Sequence, residues 1–232
     1  SVVYQSVNKP KINFSKKENI ISFIGKLNRA KGYDIFGNSI IKILNKYKDW
    51  KAIVIGDEPR EKIFFQHKRL INYGYKDHKF ILKKLENTSI SVICSRWNEP
   101  LGRASLEACS RGSVPIITNR GGLPETSKSA LIIKDLNTKN LFNSIESLIS
   151  NKRKLKKLQY DNYINFNFTP KLISKKIESI RESLIPIRKF NVINQNSKIK
   201  ILHITNFNER YNGRLHYNTG RRLNNGFVRN NH

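Results

Sequence analysis

The sequence has 232 residues, a formal net charge of +27 and 38% hydrophobic residues, which is enough apolar material for one large domain or two small ones. No apolar stretch reaches the roughly 20 residues of a membrane-spanning helix, and residues 1–20 lack the apolar run of a signal peptide. The excess of lysine and arginine becomes denser toward the C-terminus. It favours an anionic partner: a nucleic acid, a membrane surface or a phosphorylated substrate.

Apolar runs that end at glycine or another turn residue alternate along the chain with segments whose apolar residues recur at helical spacing. In chain order, the pattern predicts strands over 19–25, 50–57, 69–75, 89–95, 114–118 and 130–134. Helices are predicted from Ile35 to Tyr47 and over 77–87, 102–111, 138–150, 151–159 and 170–184, the last with Thr169 as its cap. Strands that alternate with such helices favour right-handed crossovers and a parallel sheet covered on both faces. We therefore predict a doubly wound α/β fold.

The composition changes at both ends of this pattern. Residues 1–19 are predicted to be the end of a preceding domain and a linker that enters the first strand, and residues 20–185 are predicted to form the α/β domain with its closing helices. Residues 186–232 are predicted to be a linker and the start of a truncated domain, with a strand over 198–205 and then a polar stretch. That polar stretch is too poor in apolar residues to bury a core by itself.

The two cysteines, Cys94 and Cys109, both lie in apolar surroundings. This placement favours buried thiols in a reducing compartment over a disulfide framework, and no further ligand set accompanies them to suggest a zinc site. We therefore expect a cytoplasmic protein without a bound metal.

A ligand is expected to bind beyond the carboxyl ends of the parallel strands, where helix N-termini present free N–H groups. The turn after the first strand carries Gly25, Lys26 and Lys31, and Gly56 and Asp57 follow the second strand. These segments should meet at one edge of the sheet. Two lysines at that edge favour an anionic ligand.

The stretch after the strand over 89–95 carries two glutamates eight positions apart. Glu99 is expected at the mouth of the crevice, and Glu107 on the helix that begins there. Between them, the N–H groups of Leu101, Gly102 and Arg103 are expected to bind phosphate oxygens. Ionised carboxylates accept hydrogen bonds from hydroxyl groups. A diphosphate with sugar hydroxyls on both sides, as in a nucleotide-sugar, fits this arrangement.

Five segments, taken in chain order, resemble the donor-binding half of the family 4 (group 1) retaining glycosyltransferases. They are FIGKLNRAKGYD, IGDEP, NYGY, ICSRWNEPLGRASLEACSRGSVPIITNRGGLPE and ALIIKD. The resemblance covers roughly residues 1–185 and implies one Rossmann-like half of the GT-B fold. It implies sugar transfer from a UDP-, GDP- or ADP-sugar, with retention of the anomeric configuration and no metal. The acceptor would be a glycan or a lipid-linked molecule.

The resemblance also implies roles for individual residues. Glu99 would contact the donor sugar near the reacting carbon, and Glu107 would hold the ribose hydroxyls. Lys26 and Lys31 would contact the diphosphate, and Gly74 and Tyr75 would lie beside the base. Gly25, in the turn after the first strand, and Gly121 and Gly122, in a later turn, would lie beside the donor. In this family the acceptor site belongs to the other domain, so we expect a fragment that is inactive or poorly active alone.

Several alternatives stay open at this point. One alternative is that Gly121 and Gly122 serve only a tight turn. Tyr75 and Trp97 are more typical of packing than of base stacking. His67 and His78 are interpreted as surface residues. A basic nucleic-acid-binding domain would explain the charge but not the ordered motifs, so nucleic acid ranks below a nucleotide-sugar. A non-catalytic interaction module is a third reading, and a basic face could dock on the anionic inner face of the membrane.

Overall fold

A computed structural model describes residues 2–184, together with residues 226, 228 and 229. The chain divides into two compact units, Ser1–Arg181 and Glu182–His232. The predicted linker and strand within 186–232 lie outside the described residues, apart from the three residues named above. The first unit carries the sheet and the candidate site.

A six-stranded parallel sheet forms the centre of this unit. Its strands are β1 (Glu18–Ile24), β2 (Lys51–Ile55), β3 (Leu70–Asn72), β4 (Thr88–Ile93), β5 (Val114–Thr118) and β6 (Leu131–Ile133), in the spatial order β3-β2-β1-β4-β5-β6. The register pairs Phe23 of β1 with Val54 of β2 on one side and with Val92 of β4 on the other. The strand order reverses between β1 and β4, which is where ligands bind in open α/β sheets.

Helices cover both faces of the sheet. They are α1 (Tyr33–Lys46), α2 (His78–Asn87), α3 (Arg103–Cys109), α4 (Thr138–Ile149), α5 (Lys152–Ile164) and α6 (Pro170–Leu184), with short 3-10 helices at Phe14–Lys16 and Leu123–Thr126. Within the described part of the chain, no helix combines the length and hydropathy that crossing a bilayer requires. The predicted doubly wound α/β fold is therefore confirmed.

The largest apolar cluster fills the space between the sheet and helices α1 and α4. Ile21 and Phe23 of β1 point into it and pack with Phe36 and Ile40 of α1, all fully or almost fully buried. The alternate residue, Ser22, lies on the opposite face, where its hydroxyl and those of Ser91 and Ser113 form a buried row at 2.9 and 2.8 Å. Side chains this small let α3 approach the sheet closely.

Among the differences from the predicted elements, three have clear local reasons. Strand β3 ends at Asn72 because Gly74 takes a positive φ of 64° and turns the chain. Helix α5 continues to Ile164, beyond the predicted 159, because Gln159 and Asn162 are buried and Asn162 bonds to the Leu158 carbonyl at 2.7 Å. The 3-10 helix Leu123–Thr126 was not predicted, because four residues are too few to show a period.

The N-terminal segment packs on the α/β unit rather than running free. Val7 is buried, and its N–H donates to the carbonyl of Phe168 at 2.8 Å. Val7 also belongs to a second apolar cluster that includes Leu106 of α3. A main-chain hydrogen bond and apolar packing thus hold the segment before β1 next to the start of α6. The assignment of residues 1–19 to the end of a preceding domain stays a prediction.

Candidate active site

A cavity of about 220 Å³ opens at the reversal point of the sheet, beyond the carboxyl ends of β1 and β4. Five predicted site residues line it: Gly25, Lys31, Glu99, Gly102 and Arg103. The loop after β1, the loop after β4 and the start of α3 therefore converge, as the sequence predicts. The cavity combines one lysine, one arginine and one carboxylate within a single opening.

Lys31 and Glu99 form an ion pair inside this cavity. Lys31 Nζ donates to Glu99 Oε1, and only 12% of the Glu99 side chain is exposed. The loop that carries Lys31 is itself braced, because the Lys31 N–H donates to Asn28 Oδ1 at 2.9 Å. A partly buried charge requires a partner. In this structure, each of the two groups supplies that partner for the other.

Gly121 and Gly122 support the main chain of Glu99. The Gly122 N–H donates to the Glu99 carbonyl at 2.7 Å. Gly121 has a φ of 55°, and a Cβ atom there would lie 2.1 Å from that same carbonyl oxygen. Both the backbone conformation and the close approach therefore require glycine at position 121. The two glycines thus turn the chain after β5 so that it contacts the loop bearing Glu99.

Helix α3 begins beside the cavity. Gly102 takes the N-cap position with a φ of 89°, and a side chain there would meet Leu123 at 2.3 Å. The side chain of Leu101 packs into the second apolar cluster. The first N–H groups of any helix lack an intrahelical acceptor. Gly102, Arg103 and Ala104 line the cavity and so place such groups at its edge, whereas Leu101 precedes the helix and lies outside the lining.

Glu107 stands one turn further along α3 and does not line the cavity. Its side chain is 6% exposed, and its Oε1 accepts hydrogen bonds from Arg103 Nε and from His78 Nε2, each at 2.8 Å. Arg103 lines the cavity and so connects Glu107 to it. The two predicted glutamates are therefore related through the cavity, since Glu99 lines it and Glu107 bonds to Arg103, which also lines it.

His78 was interpreted as a surface residue, and the prediction missed its contact with Glu107. Its side chain is 52% exposed, but it opens α2, whose N-cap Asp77 accepts from the Phe80 N–H at 2.7 Å. No sequence spacing relates position 78 to position 107, because their contact depends on how α2 packs beside α3. His67 is only half-buried and accepts from the Arg69 N–H at 3.1 Å.

The remaining predicted residues lie outside the cavity lining. Lys26 is exposed. Gly74 follows β3, and its carbonyl accepts from the Gly56 N–H at 2.8 Å, which joins the loops after β2 and β3 at the same edge of the sheet. The side chains of Tyr75 and Trp97 are 58% and 62% exposed. The packing interpretation of both aromatic residues was therefore wrong, because loop positions beyond the strand ends leave them open to solvent.

An ion pair that sequence reasoning missed fixes the loop after β4. Arg96 donates to both carboxylate oxygens of Asp34, at 2.7 and 2.8 Å, and so ties this loop to the first turn of α1. Burial opposes ionisation of Asp34, but the hydrogen bonds and charge of Arg96 outweigh it and lower the pKa of the carboxyl group. The 62 positions between the partners conceal the pair from sequence patterns.

The two cysteines do not line the cavity. Cys94 and Cys109 are buried and unpaired, as predicted, and burial raises the pKa of both thiols to about 12. Across the part of the chain that the structure describes, no group of three or more His, Cys, Asp and Glu side chains is arranged to hold a metal ion. The expectation that donor binding needs no metal stays a prediction.

Comparison with known proteins identifies the family. The family model for glycosyl transferases group 1 matches residues 5–164. The putative glycosyltransferase YtcC of Bacillus subtilis (strain 168) is 25% identical over 185 residues, which cover 72% of this chain and 46% of YtcC. Anabaena Alr3699/HepE, solved in complex with UDP-glucose, is 17% identical with a TM-score of 0.61, and the match covers 72% of this chain and 49% of HepE.

A further solved structure has the size of the α/β unit. The C-terminal domain of LpcC, a glycosyl transferase group 1 family protein of Francisella tularensis, is 24% identical with a TM-score of 0.58, and the match covers 76% of this chain and 96% of that domain. The chain thus spans about half the length of YtcC and HepE. Because the family model matches residues 5–164, which contain the whole cavity, the chain belongs to the glycosyl transferases group 1 family.

Proposed function

We propose that this chain is the donor-binding part of a retaining glycosyltransferase and holds a nucleotide-diphosphate sugar in the cavity between β1 and β4. The Lys31–Glu99 pair carries the proposal, because it places a cation and a carboxylate together at the reversal point of the sheet. A diphosphate would use the cation, and a sugar hydroxyl would use the carboxylate. The complex of HepE with UDP-glucose supports this class of donor.

The charged groups suggest how transfer would be assisted. As the glycosidic bond to the donor breaks, negative charge develops on the leaving diphosphate. Lys31 and the N–H groups at the start of α3 would stabilise that charge without reorganising, which is the basis of electrostatic catalysis. Glu99 would hold the sugar near its reacting carbon, and Lys26 would approach the diphosphate from solvent. Retention of configuration and a hexosyl donor are part of this proposal.

The acceptor is proposed to bind outside this chain. The chain covers 46% of YtcC and 49% of HepE, so a complete relative has room for a second domain. In this proposal the described residues supply the donor cavity, and the acceptor is a glycan or a lipid-linked molecule. We expect the isolated chain to bind donor but to transfer sugar poorly or not at all. Sugar transfer at an ordinary enzymatic rate would contradict this part of the proposal.

Thermal unfolding against a panel of UDP-, GDP- and ADP-sugars tests donor binding. A ligand that binds only the folded state at about 100 times its Kd adds roughly 2.7 kcal/mol to the free energy of unfolding. One nucleotide-sugar should raise the midpoint for the wild type and for Lys42→Met, an exposed position on α1. Lys31→Met should lose most of that shift. No stabilisation by any member of the panel, or an undiminished shift in Lys31→Met, would contradict the proposal.

We also propose that the protein works in the cytoplasm and that α5 docks on the anionic inner face of the membrane. Five exposed basic residues occupy the first half of α5: Lys152, Arg153, Lys154, Lys156 and Lys157. Within the described residues, none of them forms an ion pair with a carboxylate, and the first turn contains no acidic residue. Tyr160 and Ile164 follow Lys156 at four-residue spacing and are exposed, which suits the boundary between headgroups and acyl chains.

A groove beside this helix strengthens the membrane proposal. It encloses about 580 Å³ and is lined in part by Lys152, Lys156 and Tyr160 of α5 and by Lys17 and Ser89, which lie next to or at the amino ends of β1 and β4. Cationic groups above an apolar floor match the chemistry of a phospholipid headgroup. The groove is at the amino edge of the sheet, so docking there would leave the donor cavity open.

A further inference from the structure

Two nitrogen donors from different helices converge on one oxygen of Glu107. Arg103 Nε, on the same helix, and His78 Nε2, on α2, each lie 2.8 Å from Oε1. An ionised carboxylate only accepts hydrogen bonds, so the proton of the His78 ring must be on Nε2. Arg111 is a further cation that attracts Glu107. The groups that face this carboxylate therefore come from α2, α3 and the turn after α3.

The other carboxylate oxygen is in a different situation. No hydrogen bond within the described part of the chain involves Glu107 Oε2. The sole fully enclosed side-chain nitrogen or oxygen without a partner there is Arg111 Nε, so Oε2 is not sealed inside the protein. Glu107 thus has one oxygen bonded to the protein and one that is free to accept a further hydrogen bond.

A second contact decides how well this carboxylate is oriented. The terminal torsion of a glutamate side chain is broad, so one hydrogen bond leaves the plane of the carboxylate poorly defined. Arg103 approaches from one turn earlier on the same helix, and His78 approaches from a separate element. Two donors from different directions define the plane and hence the direction of Oε2. Loss of His78 would leave Oε1 with Arg103 alone.

We infer that His78 is a positioning residue, which holds Glu107 so that Oε2 accepts hydrogen bonds from a vicinal diol, the ribose 2′- and 3′-hydroxyls of the bound nucleotide. The inference rests on the proposed function and on the ribose contact that the family resemblance implies for Glu107. His78 itself need not touch the ligand. Its contribution to affinity should therefore appear only when the ligand has a diol for Glu107 to hold.

The experiment compares a nucleotide with its own 2′,3′-dideoxy analogue. The tightest binder among UDP, GDP and ADP is titrated calorimetrically into the full chain, and its dideoxy form is titrated in parallel. His78→Leu should weaken binding of the ribonucleotide about tenfold, since a hydrogen bond to a charged group is at stake. The same variant should bind the dideoxy form like the wild type. His78→Gln, whose amide nitrogen can replace Nε2, should restore most of the affinity.

Controls separate this inference from the proposed function. Lys79→Ala changes the neighbouring exposed residue of α2 and should behave as the wild type with both ligands. Thermal unfolding without ligand checks that His78→Leu is folded. A wild type that prefers the ribonucleotide, together with a His78→Leu variant that keeps the full preference or loses affinity for both forms equally, overturns the inference alone. A wild type that binds neither form, or both equally, overturns the ribose assignment and the inference with it.

Discussion

Lys31 Nζ donates a hydrogen bond to Glu99 Oε1 although 68 positions separate the two residues in the chain. Lys31 follows β1 and Glu99 follows β4, so the contact bridges the two loops where the strand order reverses. In the free protein each charge neutralises the other. An incoming diphosphate would therefore compete with Glu99 for Lys31, and Glu99 would turn toward the sugar.

The two lysines of the first loop should differ in their effect on donor affinity. Lys31 lines the cavity, whereas Lys26 is exposed and lies outside its lining. Lys31→Met should weaken binding of the preferred nucleotide-sugar roughly tenfold or more, because a charge-assisted hydrogen bond is lost. Lys26→Met should cost less and should lose its effect at high salt, as expected of a screened surface charge. Calorimetric titration at low and high salt measures both, and equal losses would contradict the difference.

Gly121→Ala should destabilise the protein and weaken donor binding together. The alanine would have to adopt a φ of 55°, and its Cβ atom would meet the Glu99 carbonyl oxygen. Strain of this kind costs on the order of 1–3 kcal/mol, and relieving the clash must move the loop that carries Glu99. Urea unfolding and nucleotide-sugar titration measure the two effects.

Gly74→Ala is the matched control for that variant. Its φ of 64° is similar, but no atom lies within 4 Å of the added Cβ position. In urea unfolding, where the two variants are compared, it should show only the cost of the unfavourable backbone conformation, which is about 1 kcal/mol. If Gly121→Ala were no more destabilising than Gly74→Ala, the close contact with Glu99 would have no energetic importance.

Lys17 should make the free energy of unfolding rise with pH. Its ammonium group donates to the main-chain oxygens of Leu85 and Thr88 at 3.1 and 2.8 Å. Burial lowers the pKa of Lys17 from its ordinary value of 10.5 to about 7. Between those values the unfolded chain binds more protons at this site than the folded chain does. The contribution of Lys17 to stability therefore grows as the pH rises through this window, by at most about 1.4 kcal/mol per pH unit.

Comparison with Lys17→Met isolates this contribution from the other titrating groups. Urea unfolding of both proteins between about pH 7 and pH 9 should show a stability difference, wild type minus variant, that increases with pH. Below about pH 7 the difference should level off, since both states of the wild type are then protonated at this position. A difference that stays constant across the window would mean that the folded and unfolded states share one pKa for Lys17.

Docking through α5 predicts binding to vesicles that contain acidic lipid. The full chain should sediment with vesicles of phosphatidylcholine and phosphatidylglycerol but not with phosphatidylcholine alone, and salt should weaken the binding. Replacing Lys152, Arg153, Lys156 and Lys157 by glutamine removes four charges from the proposed contact. This variant should lose about 1 kcal/mol of binding free energy per charge near the surface.

The control for that experiment removes the same number of charges elsewhere. Lys42, Lys48, Lys79 and Lys83 are exposed and lie on or next to other helices, so their replacement by glutamine should leave vesicle binding nearly intact. Equal losses in the two variants would show that net charge, rather than α5, drives the attraction. Tighter binding to duplex DNA than to acidic vesicles, sensitive to the α5 variant, would instead favour the nucleic-acid alternative.

The strands and the charged residues nearest the sheet were predictable from the sequence. Buried parallel strands are continuous apolar runs, so β1, β2, β4 and β5 are easy to recognise, and their carboxyl ends must share one edge. The convergence of Lys31 and Glu99 follows from that rule alone. The position of Glu107 on the helix that begins there was likewise predicted from the sequence, but its contact with Arg103, which lines the cavity, was not.

Contacts set by helix packing were not predictable. His78 meets Glu107 because α2 lies beside α3, and no periodicity in either helix encodes that proximity. The same is true of Arg96 and Asp34, whose pairing depends on where α1 begins after its loop. The function of Gly121 was ambiguous, because a glycine needed for a turn and one needed for close approach look alike in sequence. Only coordinates distinguish the two.

The amino and carboxyl edges of the sheet hold separate sets of charged residues. The groove at α5 draws on Lys152 and Lys156, while the cavity at the opposite edge draws on Lys31 and Glu99, and no residue lines both. A substitution in the lining of the groove therefore changes no residue that lines the cavity, and the reverse also holds. Under the proposed function, substitutions in α5 should change membrane binding and leave donor binding intact, and substitutions in the cavity should do the reverse.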